Sequence, residues 1–155
     1  MISPELLRRY PFFNSLSKAQ LSEIAMISDE VDCKNGETLI EENQPANTIF
    51  LLISGSIDLI IKSEEAYHPT QHKEFIVGEI NPGEIFGISA LTEPATYDAA
   101  ARTSRDSQII IIDAEALRGM MKDDLELANH MMVQVIRGLK DRLQSTRVQL
   151  AACWG

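Results

Sequence analysis

The sequence predicts a single α+β domain, and three features carry that expectation. Helix-start signals stand near the N-terminus, short β-branched segments separated by Gly, Pro and Asn turns fill the middle, and a long amphipathic stripe occupies the last part. Residues 1–28 read as N-terminal helices, 29–113 as an antiparallel sandwich or barrel, and 114–155 as C-terminal helices, all within one domain spanning 1–155. A chain of 155 residues suits one core, and no Pro/Gly/Ser linker, internal repeat or low-complexity segment divides it.

The elements follow in order. Ser3 can cap a short helix with Pro4 at its first position, and Glu5 complements the positive helix end. Tyr10-Pro11 interrupts it, after which Ser17 can cap a second helix carrying Leu21, Ile24 and Ala25 on one face. Val31–Lys34, Thr38–Ile40, Thr48–Ile53, Ser56–Ile61, Glu74–Ile80 and Gln108–Ile112 read as strands. Asn35-Gly36, Asn43-Gln44-Pro45, Ser54-Gly55, Asn81-Pro82-Gly83 and Glu93-Pro94 supply the turns between them. The polar stretch Ser63–Lys73, with His68 and His72, reads as an exposed hairpin loop. Ala114–Met121 then gives a short helix, and Asp123 or Asp124 can start a long one. Along it Leu125, Ala128, Met132, Ile136, Leu139, Leu143, Thr146 and Leu150 recur every three or four residues, close to a heptad seam.

Charge and composition narrow the partners. Lys and Arg number 14 against 23 Asp and Glu, a formal net charge of −9, which repels phosphate backbones and anionic lipid. The basic residues cluster only modestly, around Arg137, Lys140 and Arg142. Direct nucleic-acid binding is therefore not expected. The apolar runs, such as Ile109–Ile112, are too short to cross a bilayer, and the N-terminus lacks a signal-peptide order, so no membrane partner is expected. Cys33 and Cys153 are far apart and form no CxxC pair, which makes free thiols in a reducing cytoplasm the expectation.

Three stretches, the first two bearing glycines, stand in a telling order: Asn35–Ile40 leading to Ile49–Ile57, then Ile80–Gly87, then Ala99–Thr103 before Ile109–Asp113 and the long helix. This arrangement resembles the cyclic-nucleotide-binding domain of catabolite-activator-type regulators, kinase regulatory subunits and gated channels, over roughly Leu6–Arg147. The resemblance implies a jelly-roll-like double-stranded β-helix barrel with flanking helices. It also implies a glycine near Asn43, where asparagine is the next best occupant of a left-handed turn.

In that family the segment after the Phe-Gly pair holds the ligand. Backbone amides meet the cyclic phosphate, a glutamate just after the glycine accepts the ribose hydroxyl, and an arginine ten or eleven residues on pairs with the phosphate. Here the segment is Phe86, Gly87, Ile88, Ser89 and Ala90, continuing to Tyr97, Asp98 and Ala99. Ile88 stands at the glutamate position. Asp98 stands at the arginine position, with Tyr97 the alternative after a one-residue shift. An anion there repels phosphate by ~1–4 kcal/mol in a partly desolvated site, and each missing charged hydrogen bond costs about 1.5–3 kcal/mol. Against roughly −8 kcal/mol for a micromolar ligand, little affinity is left, so no cofactor and no tight cyclic AMP or cyclic GMP binding is expected. A pocket lined by Ile88, Ala90, Tyr97 and Ala99 would suit something less anionic and more apolar. Arg102 shares the strand face of Asp98 but lies ~13 Å further along at about 3.3 Å per residue, and Arg105 has the opposite parity.

The last helix has two readings, packing on its own barrel or pairing with a second copy. Its near-heptad spacing resembles the family's dimer helix, and the expectation is a homodimer through Met132, Ile136, Leu139, Leu143 and Leu150, with Arg137, Lys140, Asp141 and Arg142 as flanking charges. No metal site is expected, because His68, His72 and His130 lack companion ligands and read as solvated surface groups. Neither nucleophile elbow, HExxH nor Walker loop is present, so no enzyme is expected. In the transcription factors a helix-turn-helix follows the dimer helix, whereas here the sequence closes on Ala152-Cys153-Trp154-Gly155. The leading expectation is a stand-alone regulatory module that takes another small ligand or a protein partner. The alternatives are a cyclic-nucleotide sensor with an atypical pocket, or the effector half of a regulator whose DNA-binding half is supplied by a partner.

Overall fold

Ser3 and Ser17 cap the first two helices as their side chains allow. Ser3 Oγ accepts from the Glu5 amide at 3.2 Å and opens α1 (Pro4–Arg8). Ser17 exchanges bonds with Gln20 in a capping box that opens α2 (Lys18–Met26). The computed structural model describes residues 1–64 and 72–154. Among them eight strands follow: β1 (Ser28–Cys33), β2 (Thr38–Ile40), β3 (Thr48–Ser54), β4 (Ile57–Glu64), β5 (His72–Ile80), β6 (Ile85–Phe86), β7 (Ala100–Thr103) and β8 (Ser107–Asp113). A 3-10 turn at Ile88–Leu91 lies between β6 and β7, and α3 (Ala114–Asp123) and α4 (Leu125–Trp154) follow β8.

The strands form two four-stranded antiparallel sheets, ordered β1-β8-β3-β6 and β2-β7-β4-β5. This is the expected jelly-roll-like α+β architecture, built as two facing sheets. β8 is central in the first sheet, paired with β1 on one side and β3 on the other. Neighbouring side chains on a strand point to opposite faces, yet Ile109 and Ile110 are both buried. Both faces of β8 are therefore covered, which explains an unbroken isoleucine run in place of alternation. Burying each such side chain stabilises the fold by about 1.5–3 kcal/mol. Leu7 and Phe13 from the N-terminal segment and Leu117 and Leu127 from the C-terminal helices join the same core.

The turn chemistry is met locally. Gly55, between β3 and β4, has φ 105°, and a Cβ on it would stand 2.1 Å from Ser107 Oγ, so neither the angle nor the space admits another residue. Asn43 does occupy a left-handed turn, at φ 68°. β6 and β7 are additional to the strands expected. β6 is too short to show a period, and β7 reads Ala-Ala-Arg-Thr, with little β-branching to mark it. The hairpin loop expected over Ser63–Lys73 is narrower, since β4 and β5 still pair at Glu64 and His72. Its remainder, with His68, lies outside the described residues.

One expectation about α4 needs correction. His130 is not a solvated surface group: its Nε2 donates to the Phe12 carbonyl at 3.0 Å, and Ser15 Oγ lies 3.0 Å from Nδ1, tying α4 to the N-terminal segment. The apolar stripe is divided: Ala128 packs against the core, while most of its later members do not. Leu127 and Met131 are the buried residues, followed at helical spacing by half-buried Val135. One residue round the helix, by about 100°, Met132, Ile136, Leu143 and Leu150 are left exposed, Ile136 by 62%, while Leu139, partly exposed, follows Val135 on the side facing the second sheet.

Candidate ligand-binding site

The segment after β6 is fixed at its start by a glycine. Gly87 has φ 76°, and a Cβ there would come 2.9 Å from Phe50 Cδ2 and 3.1 Å from the Thr48 carbonyl. Before it, Phe86 is fully buried and stacks on Phe50 with ring centroids 4.9 Å apart. After it, Ile88, Ser89 and Ala90 turn through the 3-10 segment, and the Ser89 carbonyl accepts from the amide and hydroxyl of Thr92.

A cavity of about 660 Å³ opens beside this segment, between α4 and the second sheet. Leu59 on β4 and Val77, Gly78 and Glu79 on β5 form one wall. Asn81, Gly83, Glu84 and Ile85 from the β5–β6 turn, with Ile88, form the floor. From α4 come Gln134, Gly138, Arg142, Ser145 and Thr146. That size suits a small ligand, and the walls mix apolar side chains with polar and charged ones in similar share.

Of the residues expected at the pocket, only Ile88 lines this cavity. Ala90 is fully buried instead, its carbonyl accepting from Arg118 Nη1 at 2.5 Å. Tyr97 is a core residue: Oη donates to the Thr48 carbonyl at 2.6 Å, while its backbone bonds to Asn43 and Gln44. Burial pushes its phenol above the usual 10.0, opposed by the hydrogen bonds at Thr48 and Asn47. A large aromatic with a hydroxyl can satisfy a strand end and fill the core at once, which draws Tyr97 away from the pocket. Asp98 is exposed, and Ala99 is half-buried.

The arginines sort differently from expectation. Arg102 forms a bidentate pair with Glu74, at 3.1 and 3.0 Å, across the second sheet. Arg142, expected as a charge flanking the helix seam, reaches into the cavity. Its Nη2 donates to the Ile85 carbonyl, while its Nε is shielded from solvent and has no hydrogen-bond partner among the described residues. Burial lowers its pKa, and the charges of Glu84 and Asp98 oppose that shift. The sequence carried one signal for it: Gly138 and Arg142 are four apart on a helix, hence on one face. The dimer-seam reading drew attention to the neighbouring face instead.

Comparison with known proteins agrees with this architecture. The family model for the cyclic nucleotide-binding domain matches residues 30–124. A CRP-like cAMP-activated global transcriptional regulator of Mycobacterium tuberculosis is 23% identical over 147 residues, covering 95% of this chain and 61% of that protein. The chain thus spans about three-fifths of the length of that curated relative. A solved cyclic nucleotide-binding protein of Geobacter metallireducens superposes with a TM-score of 0.80 at 34% identity, covering 92% of this chain and 99% of that one. The sensor domain of the transcriptional regulator DNR from Pseudomonas aeruginosa shares the fold, with a TM-score of 0.68 at 23% identity over 87% of this chain and 91% of that one. No helix among the described residues is long and apolar enough to cross a membrane. Sheet order, turn residues and the matched family model together place the chain in the cyclic nucleotide-binding domain family, to which it belongs.

Proposed function

We propose that this domain is a regulatory sensor that binds a small ligand between its second sheet and α4, and that the ligand is not cyclic AMP or cyclic GMP. One observation carries the reading: the residue at the family's ribose-acceptor position, Ile88, turns an apolar side chain to the cavity, while Asp98 replaces the phosphate-pairing arginine. Arg102 is no substitute, being engaged by Glu74. A cyclic nucleotide in the family's orientation would lose both contacts on the cassette wall. Titration calorimetry tests this directly. No binding heat is expected with either cyclic nucleotide at micromolar concentration, and micromolar affinity for one of them overturns the reading.

The readout would pass through α4. Its stripe of Met132, Ile136, Leu139, Leu143 and Leu150 is exposed and near-heptad in spacing, which supports pairing with the same helix of a second copy. Sedimentation equilibrium should give a dimer, dissociated by Ile136→Asp. A monomer at tens of micromolar would remove this part of the proposal.

A further inference from the structure

Among the described residues Arg142 is a cation without a counter-ion, at the wall of an open cavity. A guanidinium offers five N–H donors in a planar fork. One bond goes to the Ile85 carbonyl, Nε has no partner, and none of the ion pairs among the described residues includes Arg142. Glu84 and Asp98 act on it through their fields without closing on it. A shielded charged donor left unpaired is costly, and an anion entering the cavity would remove that cost. The helix also makes room for one. Gly138, one turn before Arg142, lines the same cavity, and a Cβ on it would meet nothing within 4 Å.

We infer that the cavity takes a ligand with one anionic group on a partly apolar body, and that Arg142 is the residue that reads the anion. This rests on the cavity being the ligand site. A single charge follows from the surroundings, because Glu79, Glu84 and Asp141 line the cavity, and Arg137, a second cation at its edge, is exposed to solvent. A second negative group would face acids. The apolar part follows from Leu59, Val77 and Ile88, the last standing at the family's sugar-acceptor position. The cation has in effect moved from the cassette to the helix opposite, so the ligand's charge would bear on α4 directly.

Fluorescence titration with two dyes of like shape tests this: anilinonaphthalene sulfonate, a monoanion, and phenylnaphthylamine, its neutral counterpart. Both should bind the intact protein. Arg142→Gln should weaken the sulfonate by about tenfold to a hundredfold and leave the neutral dye within about twofold. Ile88→Trp, which narrows the cavity, should weaken both. Unchanged sulfonate affinity in Arg142→Gln overturns the inference while leaving the cavity as a ligand site. Failure of both dyes to bind the intact protein overturns the inference and the ligand-site reading together. If Ile88→Trp leaves both dyes unaffected, they bind elsewhere, and the Arg142 assignment falls. Should Arg142→Gln not fold, Ile88→Glu places a carboxylate in the same cavity. It should reduce sulfonate binding selectively, and undiminished binding would again overturn the inference.

Discussion

Arg118 Nη1 on α3 donates to the carbonyl of Ala90 at 2.5 Å, so the turn beside the cavity hangs from a C-terminal helix. At the other end of the same segment, Arg142 on α4 holds the Ile85 carbonyl. Residues 85–90 are thus gripped at both ends by arginines from two consecutive helices. Only Asp124 separates those helices, and it caps α4 through the Leu127 amide at 3.1 Å while accepting from Gln20 at 2.9 Å. A ligand that shifted the cassette would pull on both helices.

Arg118→Ala should therefore loosen the cassette locally. A charged donor to a buried carbonyl is worth about 1.5–3 kcal/mol. Amide exchange across Ile88–Leu91 should rise well above that of β3 and β8. Exchange unchanged within error would mean that the Gly87 turn and the Phe86–Phe50 stack hold the segment unaided.

Restoring the family's pair is the second test. Ile88→Glu with Asp98→Arg replaces an apolar wall by a ribose acceptor and an anion by a phosphate partner. Cyclic AMP, expected to give no heat with the parent protein, should then give measurable heat, with a gain of about 3 kcal/mol or more from two charged hydrogen bonds. No gain would show that the 3-10 turn at Ile88–Leu91 does not present the backbone a cyclic phosphate needs.

The fold was legible in the sequence because local chemistry and global topology agree. Ser17 caps, Gly55 and Asn43 turn, and the β8 isoleucines fill a doubly covered strand. Of the candidate site only Ile88, where substitution changed polarity, was legible, since Asp98 lies outside the cavity lining. Tyr97 and Ala90 were misplaced because proximity along the chain does not say which face of a turn a side chain takes. Arg142 was missed for a different reason. It lies 57 residues along the chain from Ile85, and only the packing of α4 against β5 brings it to the cassette.

The two thiols should separate cleanly. Cys33 is buried and Cys153 exposed. Burial raises the Cys33 pKa above the usual 9.0, with Glu37 and Asp32 adding to the shift. A thiol reagent should modify Cys153 at once and Cys33 only as the protein unfolds. A group whose folded pKa is raised stabilises the fold below its unfolded value and loses that contribution as pH rises through the folded one. Stability should thus decline above about pH 9, less so in Cys33→Ala. Rapid modification of both thiols in native buffer would contradict the burial.

Gly138 stands in the interior of α4, where glycine costs roughly 0.5–1 kcal/mol relative to alanine. A Cβ at this position meets nothing within 4 Å in the single chain. Gly138→Ala should accordingly raise Tm by a few degrees, since the helix gains propensity and no contact is crowded. Gly138→Phe, by contrast, should fill the cavity and weaken the neutral dye. The alanine variant also discriminates between two reasons for the glycine. If it is there to keep the cavity open, the proposed dimer is unaffected by alanine. If Tm falls and the dimer dissociates, the glycine instead lets a second helix approach, and the interface runs along the cavity side of α4 as well as the Ile136–Leu143 stripe.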